Sequence, residues 1–412
     1  MNKTLFKLFF AMILALGILA ACSGGGDSSS ETDSSSSGES NTDEATTDES
    51  SGDGGEFHIG ANLELSGAVA TYGSSIAEGI DLAVEEINEN GGINGMQIKV
   101  TKFDNKSDAA EATNGIIKLV NQDKVDAIIG AATSGNTVAQ VEIANDTETI
   151  LLSPSGTAPN VTVNEDGSLN EYVFRTSYID PFQGTIAANF ALEELGVKTA
   201  AIYADNASDY AKGLAAAFKE TFEAAGGEIV AEEAYVAKDT DFRSTLTRIN
   251  SADPEFVFIP GYYEEVGLIV QQARDIGIDV PLMGADGWDS PTLIELAGAE
   301  ALNNTFITNH YSSDDPDETI QNFVTKFSEK FDGASPNAFH ALGYDSVYLL
   351  KDAIERAGST DSAAIKEALE ATENISLVSG NVTIDENHNP VKSATILEYV
   401  DGEQVFNTKI DP

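Results

Sequence analysis

Residues 125–159 read VDAIIGAATSGNTVAQVEIANDTETILLSPSGTAP. A short apolar run at Ala127–Ile129 predicts a buried strand, and the apolar spacing over Thr137–Asn145 predicts a helix. A second apolar run at Thr149–Leu152 is again typical of a strand. Two strands joined through one helix form a right-handed crossover and lie parallel in one sheet. This stretch therefore predicts an α/β fold.

The same alternation extends on both sides of this stretch and forms two series. The first series adds strands at Phe57–Leu63 and Gln97–Phe103, and helices at Ser75–Asn90 and Ala109–Gln122. The second series runs from residue 183 to residue 283 as Gln183–Leu195 (helix), Thr199–Tyr203 (strand), Tyr210–Ala225 (helix), Glu228–Tyr235 (strand), Phe242–Ser251 (helix), Phe256–Ile259 (strand), Glu264–Ile276 (helix) and Pro281–Met283 (strand). Two consecutive series predict two Rossmann-like lobes, each with a parallel sheet flanked by helices.

The rest of the chain is less regular and is expected to return to both lobes. Helical stretches lie at Thr319–Phe331, Ala338–Ala357 and Ser362–Ala371. A hairpin-like tail runs from Val382 to Ile410, with a turn at Asp385–Asn389. We expect residues 57–178 and 311–378 to form lobe 1, and residues 179–310 and 379–412 to form lobe 2.

Composition excludes two classes of partner. The chain has 412 residues, with 68 Asp and Glu against 22 Lys and Arg, a net charge of −46. Affinity for nucleic acid comes largely from basic residues that neutralise phosphates, so nucleic acid is excluded as a partner. An anionic membrane surface is disfavoured for the same reason. Hydrophobic residues at 42% are too many for a wholly disordered acidic chain, so most of the chain must fold.

The N-terminus predicts export. Lys3 and Lys7 precede an apolar run of 14 residues, Leu8–Ala21, which is shorter than the roughly 20 that a spanning helix needs. Residues 1–21 are therefore expected to be a signal peptide. The sequence Leu-Ala-Ala-Cys that ends at Cys22 resembles a bacterial lipobox, in which the cysteine becomes the lipidated first residue. The alternative is an ordinary signal peptide with a chance cysteine. A lipidated chain would be anchored to the outer face of the cytoplasmic membrane, as in a Gram-positive bacterium.

Two further expectations concern the segment after the signal. Cys22 is the only cysteine, which excludes an intrachain disulfide and any site with several cysteine ligands to a metal. Residues 23–56 contain ten acidic residues and no basic residue among Ser, Gly and Thr. Such a segment cannot bury a core, so residues 22–56 are expected to be a disordered tether that begins at the lipidated cysteine. The alternative is an acidic tail with a partner of its own.

Candidate ligand groups follow the predicted strands. Open parallel sheets bind ligands at the carboxyl ends of their strands. The loops 130–137 and 153–159 offer hydroxyls and free backbone N–H groups beside a helix N-terminus, which suits a carboxylate. The loops 261–265 and 284–289 combine aromatic rings with acids, which suits an ammonium group. For either hydroxyl-rich loop alone, helix capping and turn formation explain the residues equally well.

Five motifs in order resemble a known family. They are Leu65–Gly73, Gly91–Gly95, Ile129–Thr137, Ser153–Pro159 and Gly284–Trp288. Together they are similar to extracellular solute-binding proteins of the branched-chain amino acid (Leu/Ile/Val) type, which serve ABC importers. The resemblance covers essentially all of residues 57–412. It implies the type I periplasmic binding protein fold, in which two lobes joined by three crossovers close on one solute.

The resemblance also implies roles for residues of the first lobe. Ser134, Ser155 and Thr157 match the groups that hold the α-carboxylate of the ligand and part of its ammonium. Tyr72 matches an aromatic residue that borders the side-chain pocket. The ligand implied is a branched-chain or other hydrophobic amino acid, and the partners implied are ABC permease subunits, with no cofactor and a monomeric chain.

Residues of the second lobe complete the implied site. Tyr210 and Tyr262 match cleft tyrosines, and Asp286 matches the acid that binds the ammonium. Branched-chain binders often carry Glu at that last position, and Asp is one methylene shorter. Some relatives bridge two cysteines at the positions of Ser107 and Thr133, so that staple is absent here. These departures leave open an amide, urea or another small polar solute as the ligand.

Other chemistry is less supported by the sequence. The four histidines are scattered, and no HExxH or two-His helical spacing occurs, which disfavours a zinc enzyme. The run Asp385–Asn389 begins like a calcium loop, but Pro390 stands where that loop needs Gly, so a hairpin turn is favoured. We expect a binding protein and not an enzyme. A hydrolase on the same fold and a ligand sensor for a membrane signalling receptor are the alternatives.

Overall fold

The structure of the protein is a computed structural model that describes residues 55–410. The predicted signal peptide, the lipidated Cys22 and nearly all of the predicted tether lie outside these residues. Among residues 55–410, no helix is both long and apolar enough to cross a membrane.

The first lobe is built on a five-stranded parallel sheet. Its elements are β1 (Glu56–Leu63), α1 (Ala70–Glu89), β2 (Gln97–Asp104), α2 (Ala109–Lys118, continued by a π-helical turn at Leu119–Asp123), β3 (Ala127–Gly130), α3 (Ser134–Asp146), β4 (Ile150–Ser153) and β5 (Val173–Arg175). The strand order is β2-β1-β3-β4-β5, with every neighbouring pair parallel. The central strands β3 and β4 are buried along their whole length, as expected for a sheet that is covered on both faces.

The second lobe contains the second predicted series. Its elements are α4 (Asp180–Asn189, continued by a π-helical turn at Phe190–Glu194), β6 (Thr199–Asp205), α5 (Asp209–Ala224), β7 (Glu228–Tyr235), α6 (Arg243–Ser251), β8 (Phe256–Phe258), α7 (Tyr263–Asp275), β9 (Leu282–Gly284), α8 (Pro291–Ala297) and β10 (Thr305–Asn309). The strands β6 to β10 pair in parallel with one another, in the order β10-β9-β8-β6-β7.

The C-terminal third of the chain packs against α1 and also extends the sheet of the second lobe. It consists of α9 (Glu318–Lys330), α10 (Ala338–Ala357), α11 (Ser362–Glu370), β11 (Ile375–Leu377), β12 (Gly380–Ile384), β13 (Pro390–Val391), β14 (Ala394–Val400) and β15 (Glu403–Ile410). The hairpin β14–β15 pairs antiparallel with β10, which gives the second sheet the order β15-β14-β10-β9-β8-β6-β7. The strands β11, β12 and β13 form a small antiparallel sheet.

The hairpin of β12 and β13 lies against the first lobe. The ring of His388, in its turn, stacks on Phe174 of β5 with centroids 3.9 Å apart. The amide of Asn389 accepts a hydrogen bond from Thr162 at 2.9 Å. The lobe boundaries stay a prediction, and these contacts favour assigning residues 380–391 to lobe 1. We therefore propose a third crossover at residues 392–393, directly before β14.

Four short strands and helices are absent from the sequence prediction. The strands β5 and β11 have three residues each, β10 has five, and α8 has seven. Elements this short carry too few residues for a periodic pattern to stand out. The helix α3 also begins at Ser134, three residues before the predicted start, which places that residue in the first helical turn.

Two glycines bring α1 and α10 into backbone contact. A Cβ at Gly79 would lie 2.0 Å from the carbonyl oxygen of His340, and one at Gly343 would lie 2.4 Å from that of Ile76. Helices approach this closely only where a side chain is missing. The contact brings Tyr72 of α1 over Phe339 of α10, and their rings stack at 4.3 Å.

Candidate functional site

Six of the seven predicted ligand residues line one cavity between the lobes. They are Tyr72, Ser134, Ser155, Tyr210, Tyr262 and Asp286, and Ala132, Gly287 and Phe339 complete the lining. The space between these residues measures about 210 Å³ in total, and only about 10 Å³ of it admits the centre of a water-sized molecule, so the side chains lie close together. Each lobe supplies these residues from segments that follow its parallel strands, which is where such sheets bind ligands.

The first-lobe wall presents the N-terminus of α3. Ser134 is the first residue of this helix, so the positive end of the helix dipole faces the cavity. The Oγ of Ser134 accepts a hydrogen bond from the backbone N–H of Ala158 at 3.1 Å, which leaves its hydroxyl proton free for an anion. The hydroxyl of Ser155 donates to the carbonyl oxygen of Ala132 at 2.7 Å. The wall therefore suits a carboxylate at Ser134, with Ser155 as an acceptor beside it.

Thr157 is the predicted residue that does not line the cavity. It is fully buried, and among residues 55–410 its hydroxyl has no hydrogen-bond partner. Its carbonyl oxygen accepts the backbone N–H of Asp180 at 3.0 Å. Asp180 is also fully buried without a partner for its carboxyl oxygens in that part of the chain, and burial raises its pKa well above the usual value. A protonated Asp180 is the form that this environment favours.

A buried acid fixes the loop before α3. Glu64 lies one residue after β1 and is fully buried. Its carboxylate accepts the backbone N–H groups of Ala132 and Thr133 at 2.9 and 3.1 Å. The hydroxyl of Thr133 and the amide of Asn136 donate to it at 2.9 and 2.8 Å. These four bonds hold the loop in the shape that presents Ser134 to the cavity.

On the opposite wall, Asp286 is held by three donors. Its Oδ1 accepts from the amide of Gln183 at 3.1 Å and from the hydroxyl of Tyr210 at 2.8 Å. Its Oδ2 lies 3.1 Å from Nε2 of His310. Burial lowers the pKa of His310 to about 4, so the imidazole is neutral near pH 7 and donates through Nε2. A carboxylate offers about four acceptor positions, so one stays open on Oδ2.

The neighbours of Asp286 are themselves fixed. The carbonyl of Gln183 accepts from the backbone N–H of Asp286 at 3.3 Å and from the hydroxyl of Thr308 at 2.8 Å, which sets its amide orientation. The hydroxyl of Tyr210 accepts from the backbone N–H of Gly287 at 2.9 Å. A Cβ at Gly287 would lie 2.8 Å from that hydroxyl, so only glycine fits there without displacement.

Aromatic rings form the apolar part of the cavity. Tyr210 and Tyr262 stack with centroids 5.0 Å apart, and Tyr72 meets Tyr262 edge to face at 5.9 Å. Phe339 covers the other face of this group through its stack on Tyr72. An apolar side chain is the group that such a wall accommodates.

Hydrogen bonds across the cleft hold the lobes together. The hydroxyl of Tyr72 donates to the carbonyl oxygen of Gly287 and accepts from the backbone N–H of Tyr263 at 3.3 Å. The hydroxyls of Thr71 and Ser290 lie 3.0 Å apart. The protein is therefore in a closed form, in which the cavity is enclosed by both lobes.

Four residues of the site are not among those predicted from the sequence: Glu64, Gln183, His310 and Phe339, which lines the cavity. Glu64 follows β1 directly and His310 follows β10, so the rule of strand carboxyl ends points to both. The sequence pattern does not predict β10, so it gives no signal for His310. Gln183 lies on α4 and has no signal in the sequence alone. In the part of the chain that the structure describes, no three His, Cys, Asp or Glu side chains converge as metal ligands would.

A family model described as periplasmic binding protein matches residues 56–404. The chain belongs to this family. A curated relative of this periplasmic binding protein, the leucine-, isoleucine-, valine-, threonine- and alanine-binding protein of Pseudomonas aeruginosa, is 30% identical over 325 residues, which are 78% of this chain and 84% of the relative.

Solved structures of other periplasmic binding proteins are also similar. The branched-chain amino acid transporter substrate-binding protein LivJ of Streptococcus pneumoniae, in complex with isoleucine, is 39% identical with a TM-score of 0.81. That match covers 87% of this chain and all of the other. The leucine-binding protein LivK of Thermotoga maritima is 34% identical with a TM-score of 0.80, over 86% and 99% of the two chains. The family and these relatives are binding proteins.

The hydroxyl of Tyr72 yields a prediction about lobe closure. Tyr72→Phe removes two hydrogen bonds between the lobes and keeps the stacked ring. Each such bond contributes about 1 kcal/mol, so the closed form should lose about 1–2 kcal/mol. Hydrogen–deuterium exchange in the peptides that contain Tyr263 or Gly287 should become about tenfold faster.

Tyr348→Phe is the matched control for this measurement, because its hydroxyl bonds at 3.0 Å to Glu86 near the C-terminal end of α1, away from Tyr72 in the first turn. It should leave exchange at the cleft unchanged. Equal exchange in Tyr72→Phe and the unsubstituted protein would show that the hydroxyl does not hold the lobes closed.

Proposed function

We propose that this protein is the substrate-binding component of an ABC importer and that it captures a branched-chain or other hydrophobic amino acid by closing its two lobes. The observation that carries the proposal is the open acceptor position on Asp286, opposite the N-terminus of α3 across one small cavity. An α-amino acid presents an ammonium and a carboxylate on adjacent carbons. The two walls offer complementary groups for these two charges.

The charge of the site supports a cationic ligand group. Asp286 is 3% exposed, and among residues 55–410 no lysine or arginine forms an ion pair with it. A buried carboxylate that has only neutral donors keeps its charge available for a ligand. An ammonium that donates to Oδ2 would form a charge-assisted hydrogen bond there.

The lining of the cavity supports a ligand with an apolar side chain. The rings of Tyr72, Tyr262 and Phe339 supply the apolar part of the lining. The relatives described above bind leucine, isoleucine or valine, which supports the same ligand class here.

We assign no catalytic step to this site. The partner of the closed, monomeric chain is a permease complex. The residues between the walls hold each other through hydrogen bonds and offer no nucleophile paired with a base. Only a ligand with contacts to both lobes favours the closed state. Closure therefore tells the permease that a solute is bound.

We also propose that the protein is exported and held at the outer face of the cytoplasmic membrane through a lipid on Cys22. Two or more acyl chains give stable anchoring, so removing the attachment site should release the protein. Cys22→Ala is expected to shift the protein from the membrane fraction to the medium of expressing cells, as seen by immunoblotting. Retention of the variant on the membrane would contradict lipid attachment at this residue.

Asp286→Asn tests the proposed function most simply. The variant keeps the shape of the side chain and removes the charge that faces the ligand. Losing one partner of a buried charge pair costs about 2–5 kcal/mol, so the affinity for leucine should fall at least thirtyfold in a calorimetric titration. The unfolding temperature without ligand serves as the check on folding.

Asp275→Asn on the exposed face of α7 is the charge-matched control and should bind leucine as the unsubstituted protein does. The titration is repeated with isoleucine and valine. No binding of any of the three to the unsubstituted protein would refute the proposed ligand class, and full binding by Asp286→Asn would refute the role of Asp286.

A further inference from the structure

His310 connects Asp286 to the hinge between the lobes. It is the first residue after β10, where the chain leaves the second lobe. Its ring is buried, with 3% of the residue exposed. The ring stacks on Tyr178, at the end of the first crossover, with centroids 3.9 Å apart and planes inclined by 21°. The imidazole of His310, at the start of one crossover, therefore contacts both the first crossover and the acid of the binding site.

The third crossover contributes to the same group of side chains. Lys392 lies between β13 and β14, and its Nζ sits 5.8 Å from the ring centroid of Tyr178. Its Nζ also donates to Oγ of Ser379 at 2.6 Å. We call Tyr178, His310 and Lys392 the hinge cluster, because each lies in or beside a different crossover.

The hinge cluster fixes the proton that His310 presents to Asp286. Loss of water, and to a smaller extent the positive charge of Lys392, disfavours a second proton on the imidazole, and burial in turn lowers the pKa of Lys392 to about 7. The neutral ring has one N–H, and its bond to Oδ2 of Asp286 places that hydrogen on Nε2. Among residues 55–410, Nδ1 has no hydrogen-bond partner, as an unprotonated ring nitrogen in an apolar stack would have.

We propose that His310 is a positioning residue for ligand binding, which holds Oδ2 of Asp286 in the orientation that receives the ammonium of the ligand. Gln183 and Tyr210 both bond to Oδ1, so His310 is the described residue that fixes the other oxygen. Without it, the carboxylate can turn Oδ2 away from the cavity. This inference rests on the proposed function.

The location of His310 beside a crossover also links the orientation of Asp286 to lobe closure. Rotation of the lobes changes backbone torsions at the crossovers, and the stacked rings of Tyr178 and His310 move with them. Oδ2 is therefore held in the ligand-binding orientation in the closed arrangement of the hinge. The ammonium site and lobe closure form together.

The test compares two variants that differ in a hydrogen-bond donor. His310→Leu keeps an apolar side chain of similar size and removes the donor. His310→Gln can place an amide N–H near the position of Nε2. The affinity for leucine should fall at least tenfold in His310→Leu and return to within about threefold of the unsubstituted value in His310→Gln. The control His58→Leu removes a remote imidazole, which contacts Thr101 at 2.8 Å, and should not change affinity.

A second ligand separates positioning from general damage. The deaminated analogue 4-methylpentanoate has the carboxylate and the apolar chain of leucine and no ammonium. Its affinity, measured by competition or by NMR titration, should change less than twofold in His310→Leu. Should that variant fail to fold, His310→Asn replaces it, since its shorter amide does not reach Oδ2.

The outcomes distinguish this inference from the proposed function. If the unsubstituted protein binds no branched-chain amino acid, the proposed function and this inference both fail. If it binds leucine and His310→Leu binds equally well, the inference alone is overturned. Equal loss in the Leu and Gln variants, or equal loss of leucine and 4-methylpentanoate, also overturns it.

Discussion

A carboxylate buried between two lobes needs a positive partner, and the cleft of this protein is arranged around that of Asp286. Burial of an unpaired charge costs several kcal/mol, even where hydrogen bonds surround it. The three donors on Asp286 are neutral, so they orient the carboxylate without forming an ion pair with it. The interior of the closed protein therefore has a place for one cation, and the N-terminus of α3 lies across the cavity for the matching anion.

Residues around the cavity hold its two walls in place. Glu64, directly after β1, holds the loop before α3, and His310 of the hinge cluster contacts Asp286. The glycine contact between α1 and α10 sets Tyr72 and Phe339 as one aromatic layer, and Tyr72 also bonds across the cleft. Binding and closure thus share residues, and a ligand with contacts to both walls shifts the lobes toward the closed form.

Much of this was accessible from the sequence, for physical reasons. The period of apolar residues predicted two α/β lobes, and the rule of strand carboxyl ends pointed to the loops that hold the site. The resemblance to the family then singled out Ser134, Ser155 and Asp286 in those loops. His310 was missed because β10 is too short to produce a pattern, so nothing marked the residue that follows it. Gln183 was missed because its role depends on packing α4 against the loop after β9, which no local signal encodes. Thr157 was placed in the correct loop, but its side chain does not line the cavity.

The proposed function requires that binding of an amino acid brings the two lobes together. Spin labels at Glu165→Cys and Lys212→Cys, in a Cys22→Ser chain, report on this directly, because both positions are exposed and lie on different lobes. Pulsed electron double resonance measures the distance between the labels with and without saturating leucine. We expect a broad distance distribution without ligand, which becomes narrower and shifts to shorter distances when leucine is added. An unchanged distribution at a leucine concentration that saturates binding would contradict it.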